Sequence, residues 1–308
     1  MTKGLISIFA LPHEIDNLHL TLYNLRRNAE LLSTDIEYGF DITLCLSDEM
    51  TDWKSSKLPK QYFIDKFEQI TSTVCNWATP ESITIEYGTE ILGCVSQRRH
   101  SLQFLDKYDF TLWMDTDLFF NDKFLSYLGA SVKAIQANGI EYFIVTPQVT
   151  RQWDPTWDVL VNEKLLSRPF NDNLTADVFS LGLVDTTVAV TPINTFKAAG
   201  GWGTAISNSL LKLTGIPESF GHYGVEDTYV LSCAMQLRNE SPTIKPQQFI
   251  LDGLLVCENI SQQSTEYLRS MIASIDRKEE FRQLAISNYL PELRRFHNEN
   301  ILSHIRNK

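Results

Sequence analysis

Residues 109–120, DFTLWMDTDLFF, decide how this chain is read. Phe110, Leu112, Trp113 and Met114 have the character of a core strand, and Leu118, Phe119 and Phe120 resume it. Between them stand Asp115 and Asp117, one residue apart. Carboxylates inside an apolar run are costly unless hydrogen bonds or a cation compensate them. The plain alternative is a turn, since Asp is common where a strand stops. The other is a seat for a hard divalent ion, Mg²⁺ or Mn²⁺, which prefers carboxylate oxygens. An Asp-x-Asp on its own does not choose between them.

The upstream sequence supplies a frame. LISIFA (residues 5–10) reads as a buried strand, and residues 16–32 place Leu18, Leu22, Leu25, Ala29 and Leu32 at helical spacing with Asp16 as N-cap. FDITLCL (40–46) and SITIEY (82–87) are the next strands, with a helix between them and another over residues 94–108 before DFTLWM. Strand alternating with helix predicts an α/β, Rossmann-like domain with a mostly parallel central sheet flanked by helices. Such sheets bind ligands beyond the carboxyl ends of their strands. Asp115 and Asp117 lie at such an end, as do Asp48 and Asp52 after the second strand and Pro12, His13 and Glu14 after the first.

Downstream the periodicity weakens. A helix over 122–137 and a strand over 141–147 precede residues 151–178, rich in Trp, Asp, Asn and Pro, which read as a long loop or lid. Then come a strand-like TTVAVTP (186–192), a short helix INTFKAA (193–199) stopped at Gly200 and Gly201, and GVEDTYVLSCAMQL (224–237). In the last, Glu226 and Asp227 open a helix. Their ordinary role there is to complement the helix dipole; the same position favours an ionised carboxylate able to take a proton from a hydroxyl. Trp202, set between the glycines of AGGWG, is a platform for a sugar or base ring, although glycines at a helix end are also a common C-cap. From about residue 261 the chain is mostly helical and slightly basic.

Taken in order, LWMDTDLFF, FKAAGGWG and GVEDTYV resemble the GT-A glycosyltransferase superfamily, particularly inverting family-2 and β-1,4-galactosyltransferase-like enzymes. SQRRHSL (96–102) is similar to the Arg-bearing helix before the Asp-x-Asp strand in many of them. The resemblance covers residues 5–259; each motif is loose and their order is the specific part. It implies a GT-A domain over 1–260, nucleotide-binding to about 120 and acceptor-binding beyond, with a C-terminal helical extension over 261–308. It implies transfer of a hexose from a nucleotide sugar, UDP-linked, to a hydroxyl of a glycan or glycolipid acceptor, with inversion and dependence on Mn²⁺ or Mg²⁺. Asp227 becomes the general base, with Glu226 beside it on the acceptor. Asp115 faces the donor ribose and Asp117 holds the metal. Trp202 and Gly201 line the donor or acceptor subsite, Asp48 and Pro12 the nucleoside, and Arg98 or Arg99 the phosphates. Trp153 and Trp157 of the lid stack on acceptor sugar. Relatives often add a metal-binding His after the Glu-Asp helix, and this chain has none between His222 and His297. Glu258, His222, or phosphate and water oxygens alone are the open candidates to complete the shell.

Composition narrows the field. A net charge of −11 disfavours nucleic acid as partner. Five scattered cysteines without C-x-x-C spacing read as reduced core residues. No apolar run has the length of a membrane span, which leaves peripheral contact through the basic C-terminal helices as the membrane option. With no secretory leader read at the N-terminus, a cytoplasmic location is expected. Competing readings are a retaining GT-A enzyme, a haloacid-dehalogenase-like phosphotransferase and a non-catalytic nucleotide-sugar- or glycan-binding protein. The phosphotransferase motif continues to Thr or Val where this chain has Phe119, and it opens its domain, whereas several strands precede Asp115 here.

Overall fold

The computed structural model describes residues 1–153, 190–193, 200–259 and 275–302 of the 308-residue chain. β1 (Thr2–Ala10) is buried along almost its whole length, as a strand covered on both faces must be. A 3-10 turn at Pro12–Glu14 leads directly into α1 (Ile15–Ala29), whose buried Ile15, Leu18, Leu22 and Leu25 form one apolar stripe. Asp16 is therefore not the N-cap: Glu14 holds that position because turn and helix join without a break, and Asp16 pairs with Lys66 instead.

The alternation continues through β2 (Ile36–Cys45), α2 (Lys60–Val74), β3 (Thr79–Glu86), α3 (Cys94–Ser101) and β4 (Phe110–Met114). α3 is shorter than its sequence pattern suggests and gives way to a 3-10 turn at Leu102–Phe104. β2 and β3 extend the sheet on one side of β1, and β4 joins its other side, all parallel. The chain thus reverses its direction of growth between β1 and β4, which opens a crevice at the carboxyl ends of those strands.

Past β4 come β5 (Leu118–Phe119), α4 (Phe124–Ala137), β6 (Phe143–Trp153), β7 (Val190–Ile193), β8 (Trp202–Ser207), α5 (Asn208–Thr214), α6 (Glu226–Glu240), β9 (Gln247–Asn259) and α7 (Ile275–His297). The described strands make one sheet in the order β3-β2-β1-β4-β8-β6-β9-β5, with β7 also on β9. Pairing makes β1, β2, β3, β4, β6 and β9 run one way and β5, β7 and β8 the other. The expected mostly parallel, helix-flanked α/β sheet with a C-terminal helix is present. Trp157, with residues 154–178 of the expected lid and residues 194–199 of the expected short helix, lies outside the described residues.

β8 is the element the sequence pattern conceals. It inserts antiparallel between β4 and β6, and its register shifts beside Met114, where Met114 faces Trp202 while Trp113 faces Thr204. The extra residue is Gly203 at φ +82°, a left-handed conformation that glycine adopts without penalty. The bulge ends the ladder where Asp115 begins.

Alternation along β4 divides the core. Phe110, Leu112 and Met114 face a cluster built with α1, α2 and α4, whereas Trp113 faces the opposite cluster with α5, α6 and α7. α7 belongs to that second layer: Ala285 and Phe296 are buried in it, and Tyr289 Oη lies 2.6 Å from Ser232 Oγ of α6. Among the described residues no helix is long and apolar enough to cross a membrane. All five cysteines are free, four of them buried and Cys94 half-buried.

Candidate active site

The crevice beyond β1 and β4 holds a cavity of about 680 Å³. Asp115 comes to it from the end of β4, Gly201 and Trp202 from the start of β8, Arg98 from α3, Glu226 and Asp227 from the first turn of α6, and Lys278 and Arg282 from α7. Segments far apart in sequence thus share one wall.

Asp115 is set by backbone first. Its N–H donates to Gly201 O at 2.6 Å, and a Cβ at position 201 would overlap the Asp115 carboxylate, so the second glycine of the AGGWG stretch is needed for this close approach. The turn is clipped from behind by Thr21, whose Oγ1 donates to Thr116 O at 2.6 Å. Asp115 is half-buried in the crevice, and Arg98 Nη2 stands 3.4 Å from its Oδ1. Burial raises the Asp115 carboxyl above its ordinary range; Arg98 is the main opposing influence, while Glu14 and Asp227 push it further up and Lys278 lowers it.

Glu226 occupies a different environment from the one its sequence position suggests. Its side chain is 3% exposed and forms an ion pair with Arg98, itself 7% exposed. The Arg98 guanidinium also lies 4.9 Å from the centroid of the buried Trp113 ring. Glu226 therefore fixes Arg98, and Arg98 in turn faces Asp115. Asp227, the next residue, is half-buried on the cavity wall, and its Oδ1 accepts from Thr228 N at 2.5 Å and from Thr228 Oγ1 at 3.1 Å.

The backbone that presents this pair is strained. Val225, the α6 N-cap, has φ 59° and ψ 0°. A β-branched residue in the left-handed region is a true outlier, costing about 1–3 kcal/mol, and such strain gathers at functional sites.

The remaining expected residues are dispersed. Arg99 is not at the cavity: its guanidinium donates to the backbone oxygens of Ile216 (3.3 Å), Pro217 (2.8 Å) and Gly221 (3.1 Å), bracing the loop before α6, and burial lowers its pKa. Asp48 is 81% exposed and paired with Lys60 Nζ at 2.5 Å. Pro12 is buried in the turn after β1. His222 lies just before the site, with Nδ1 3.1 Å from Ser96 Oγ and its ring 4.8 Å from that of Phe281. Burial, then Arg99, holds this imidazole below its usual value. Asp117 is half-buried and does not line the cavity. Trp153 ends β6, and Glu258 lies in β9 opposite Leu118; both are placed by backbone alone.

The described residues do not fit a metal cage. No three His, Cys, Asp or Glu side chains among them converge closely enough to hold an ion, Asp115 and Asp117 are not on a common wall, and the cation nearest Asp115 is Arg98. The sequence reading overlooked Tyr223, Cys94, Lys278 and Arg282, which line the same cavity. Lys278 and Arg282 had one available signal, their i,i+4 spacing on a basic helix.

No family model and no curated protein matches the chain. Among solved structures, it is similar to S. aureus TarS 1-349 in complex with UDP-GlcNAc, at 13% identity over 91% of this chain and 64% of that one, with a TM-score of 0.43. It is similar to GalNAc-T7 with UDP, GalNAc and Mn²⁺ at 11% identity over 84% of this chain and 44% of that one, TM-score 0.43. UTP-bound UGPase from Acinetobacter baumannii is similar at 10% identity over 93% and 96% of the two chains, TM-score 0.41. The chain thus spans less than two thirds of the TarS chain and less than half of the GalNAc-T7 chain.

Proposed function

We propose that this chain is a glycosyltransferase that moves a sugar from a nucleotide sugar, UDP-linked, to an acceptor hydroxyl with inversion, using Asp227 as general base. One observation carries the reading: Asp115, the Gly201-Trp202 turn and Asp227, from three separate motifs, line one cavity beyond the carboxyl ends of the parallel strands β1 and β4. That is where an α/β sheet takes a nucleotide, and the motifs are those on which the GT-A resemblance rests.

Asp115 and Trp202 bind the donor in this scheme, Trp202 offering its indole face to a ring. Asp227 sits in the first turn of α6, at the positive end of the helix dipole. With Oδ1 engaged by Thr228, Oδ2 takes the proton from the acceptor hydroxyl. The acceptor oxygen bonds to the anomeric carbon, the bond from that carbon to the diphosphate oxygen breaks, and the nucleoside diphosphate departs with the electron pair. Glu226 acts through Arg98 as a positioning residue, in place of the acceptor contact expected for it, because its carboxylate is enclosed by that guanidinium. The expected dependence on Mn²⁺ or Mg²⁺ has no support in the donor set of the described residues, and no step is assigned to a metal. A glycan or glycolipid remains the acceptor class of this proposal.

The test is a single substitution. Asp227→Asn is expected to keep nucleotide-sugar binding, measured by thermal shift, and to lose about 10²–10⁴-fold in transfer rate. Unchanged turnover would remove Asp227 from the role, and a product that retains the donor's anomeric configuration by NMR would replace inversion with retention.

A further inference from the structure

Two cations on the cavity wall have no part in the scheme above. Lys278 and Arg282 stand four residues apart on α7, hence on one helix face, and both line the cavity with Asp115 and Asp227. Lys278 Nζ lies 5.2 Å from the centroid of the Tyr223 ring, and its charge is felt at Asp115 and Cys94. The Arg282 stem packs over Gly224, two residues before Glu226: a Cβ at Gly224 would stand 3.2 Å from Arg282 Cγ.

The helix that carries them is fixed in place. Arg277 Nη2 pairs with Glu49 Oε2 at 3.0 Å, on the loop after β2. Asn288 Nδ2 donates to Ser219 O at 2.9 Å, and the Phe281 ring stacks on Tyr223 with centroids 6.5 Å apart. α7 is a wall of the cavity with its charges already pointed there.

Charge decides what they are for. Asp115, Glu226, Asp227 and Glu279 put four carboxylates in the lining, against Arg98, Lys278 and Arg282. Arg98 is enclosed by Glu226 and Asp115. Among the described residues, Lys278 has no carboxylate within ion-pair distance, and Arg282 has Glu279 at 3.7 Å, with both partners more than half exposed. An exposed pair of that kind holds its members weakly. An anion entering this wall therefore finds its uncommitted cations on α7, at Lys278 and Arg282, and among the described residues no cluster of three metal-binding side chains stands there to offset the carboxylates.

We propose that Lys278 and Arg282 form the diphosphate-binding site, so that the C-terminal helix, by direct contact, neutralises the charge of the departing group. The inference rests on the nucleotide-sugar reading and adds to it the residues that receive the diphosphate. Arg282 presents a planar fork suited to two phosphate oxygens, and Lys278 a compact point charge.

Calorimetric titration of the full chain in EDTA tests it, with UDP, inorganic pyrophosphate and uridine as probes. UDP is expected to bind the wild type; Lys278→Ala and Arg282→Ala are each expected to weaken it by about ten-fold, Lys278→Arg to restore most of the loss, and uridine to be indifferent to all three. Arg282 is exposed and Lys278 half-buried over the Tyr223 ring, and circular dichroism checks that both alanine variants are folded. Alanine variants that bind UDP as the wild type does, or UDP binding abolished by EDTA and restored by Mn²⁺, overturn the α7 site and leave the donor reading in place. Wild type that binds pyrophosphate but not UDP, with the loss in both variants, supports the anion site and sinks the nucleotide-sugar reading. If neither UDP nor pyrophosphate binds the wild type, with EDTA or with Mn²⁺, both fall.

Discussion

The two flanks of the sheet differ in kind. From β1 to β3 every pairing is parallel, and a single bulge, between Phe40 and Asp41, interrupts the ladders. From β4 onward the sheet mixes parallel and antiparallel pairings, Gly203 adopts a left-handed bulge, Val225 is held at positive φ, and Arg98 and Glu226 are paired inside the protein. The first flank is close to ideal local structure; the second contains departures that tertiary contacts must sustain. The cavity opens on the second flank. The regular side of this molecule holds position, and the irregular side presents the carboxylates of the cavity wall from backbone that ordinary strands and helices do not offer.

The contrast is broken most severely at the buried ion pair. Glu226→Ala leaves the Arg98 guanidinium without its partner and is expected to cost about 3–5 kcal/mol, read by urea denaturation. UDP binding should fall as well, since Arg98 then reorients beside Asp115. Leu44→Ala makes a comparable cut on the regular side, where Leu44 is fully buried in β2. It is expected to cost about 2–5 kcal/mol while leaving UDP affinity in the folded protein unchanged. Equal loss of affinity in both variants would erase the division between the flanks.

A finer probe is Val225→Gly. Relief of strain, about 1–3 kcal/mol, opposes the added freedom of glycine in the unfolded chain and the loss of packing against α6, so stability should stay within about 1 kcal/mol. The transfer rate should fall nonetheless, because the first turn of α6 loses the restraint that orients Asp227. A matching fall in stability and rate would mean that Val225 is merely structural.

The smallest effect belongs to the regular flank's own polar pair. His100 Nδ1 lies 3.0 Å from Oδ1 of the buried Asp41, and this hydrogen bond raises the imidazole above its ordinary 6.5. The charged His100 therefore contributes stability that is complete below 6.5 and is lost as pH rises through the raised value. Melting temperatures of wild type and His100→Gln should differ in acid and converge in alkali; a gap independent of pH would assign His100 to packing alone.

How far the site could be read in advance follows the same division. β1, α1, β2 and β4 were legible because apolar spacing is a local property, and Asp115, Trp202, Gly201 and Asp227 were found because each sits at a break in that spacing. β8 escaped because its six residues follow a glycine-rich turn and show no flanking strand pattern. Arg99 and Asp48 were plausible ligands by position along the chain, yet one braces a loop and the other faces solvent.

The order of amino acids alone determined the alternating α/β frame, the strand that stops at Asp115 and the helix that starts at Glu226, since these depend on neighbours a few residues away. Tertiary structure alone decided that Glu226 would be enclosed by Arg98, that Asp227 would stand at the cavity, and that Lys278 and Arg282 of α7 would complete its wall. Each of those outcomes is an electrostatic relation between groups separated by long stretches of chain. Distance in space, which no local pattern records, sets both the energy and the role.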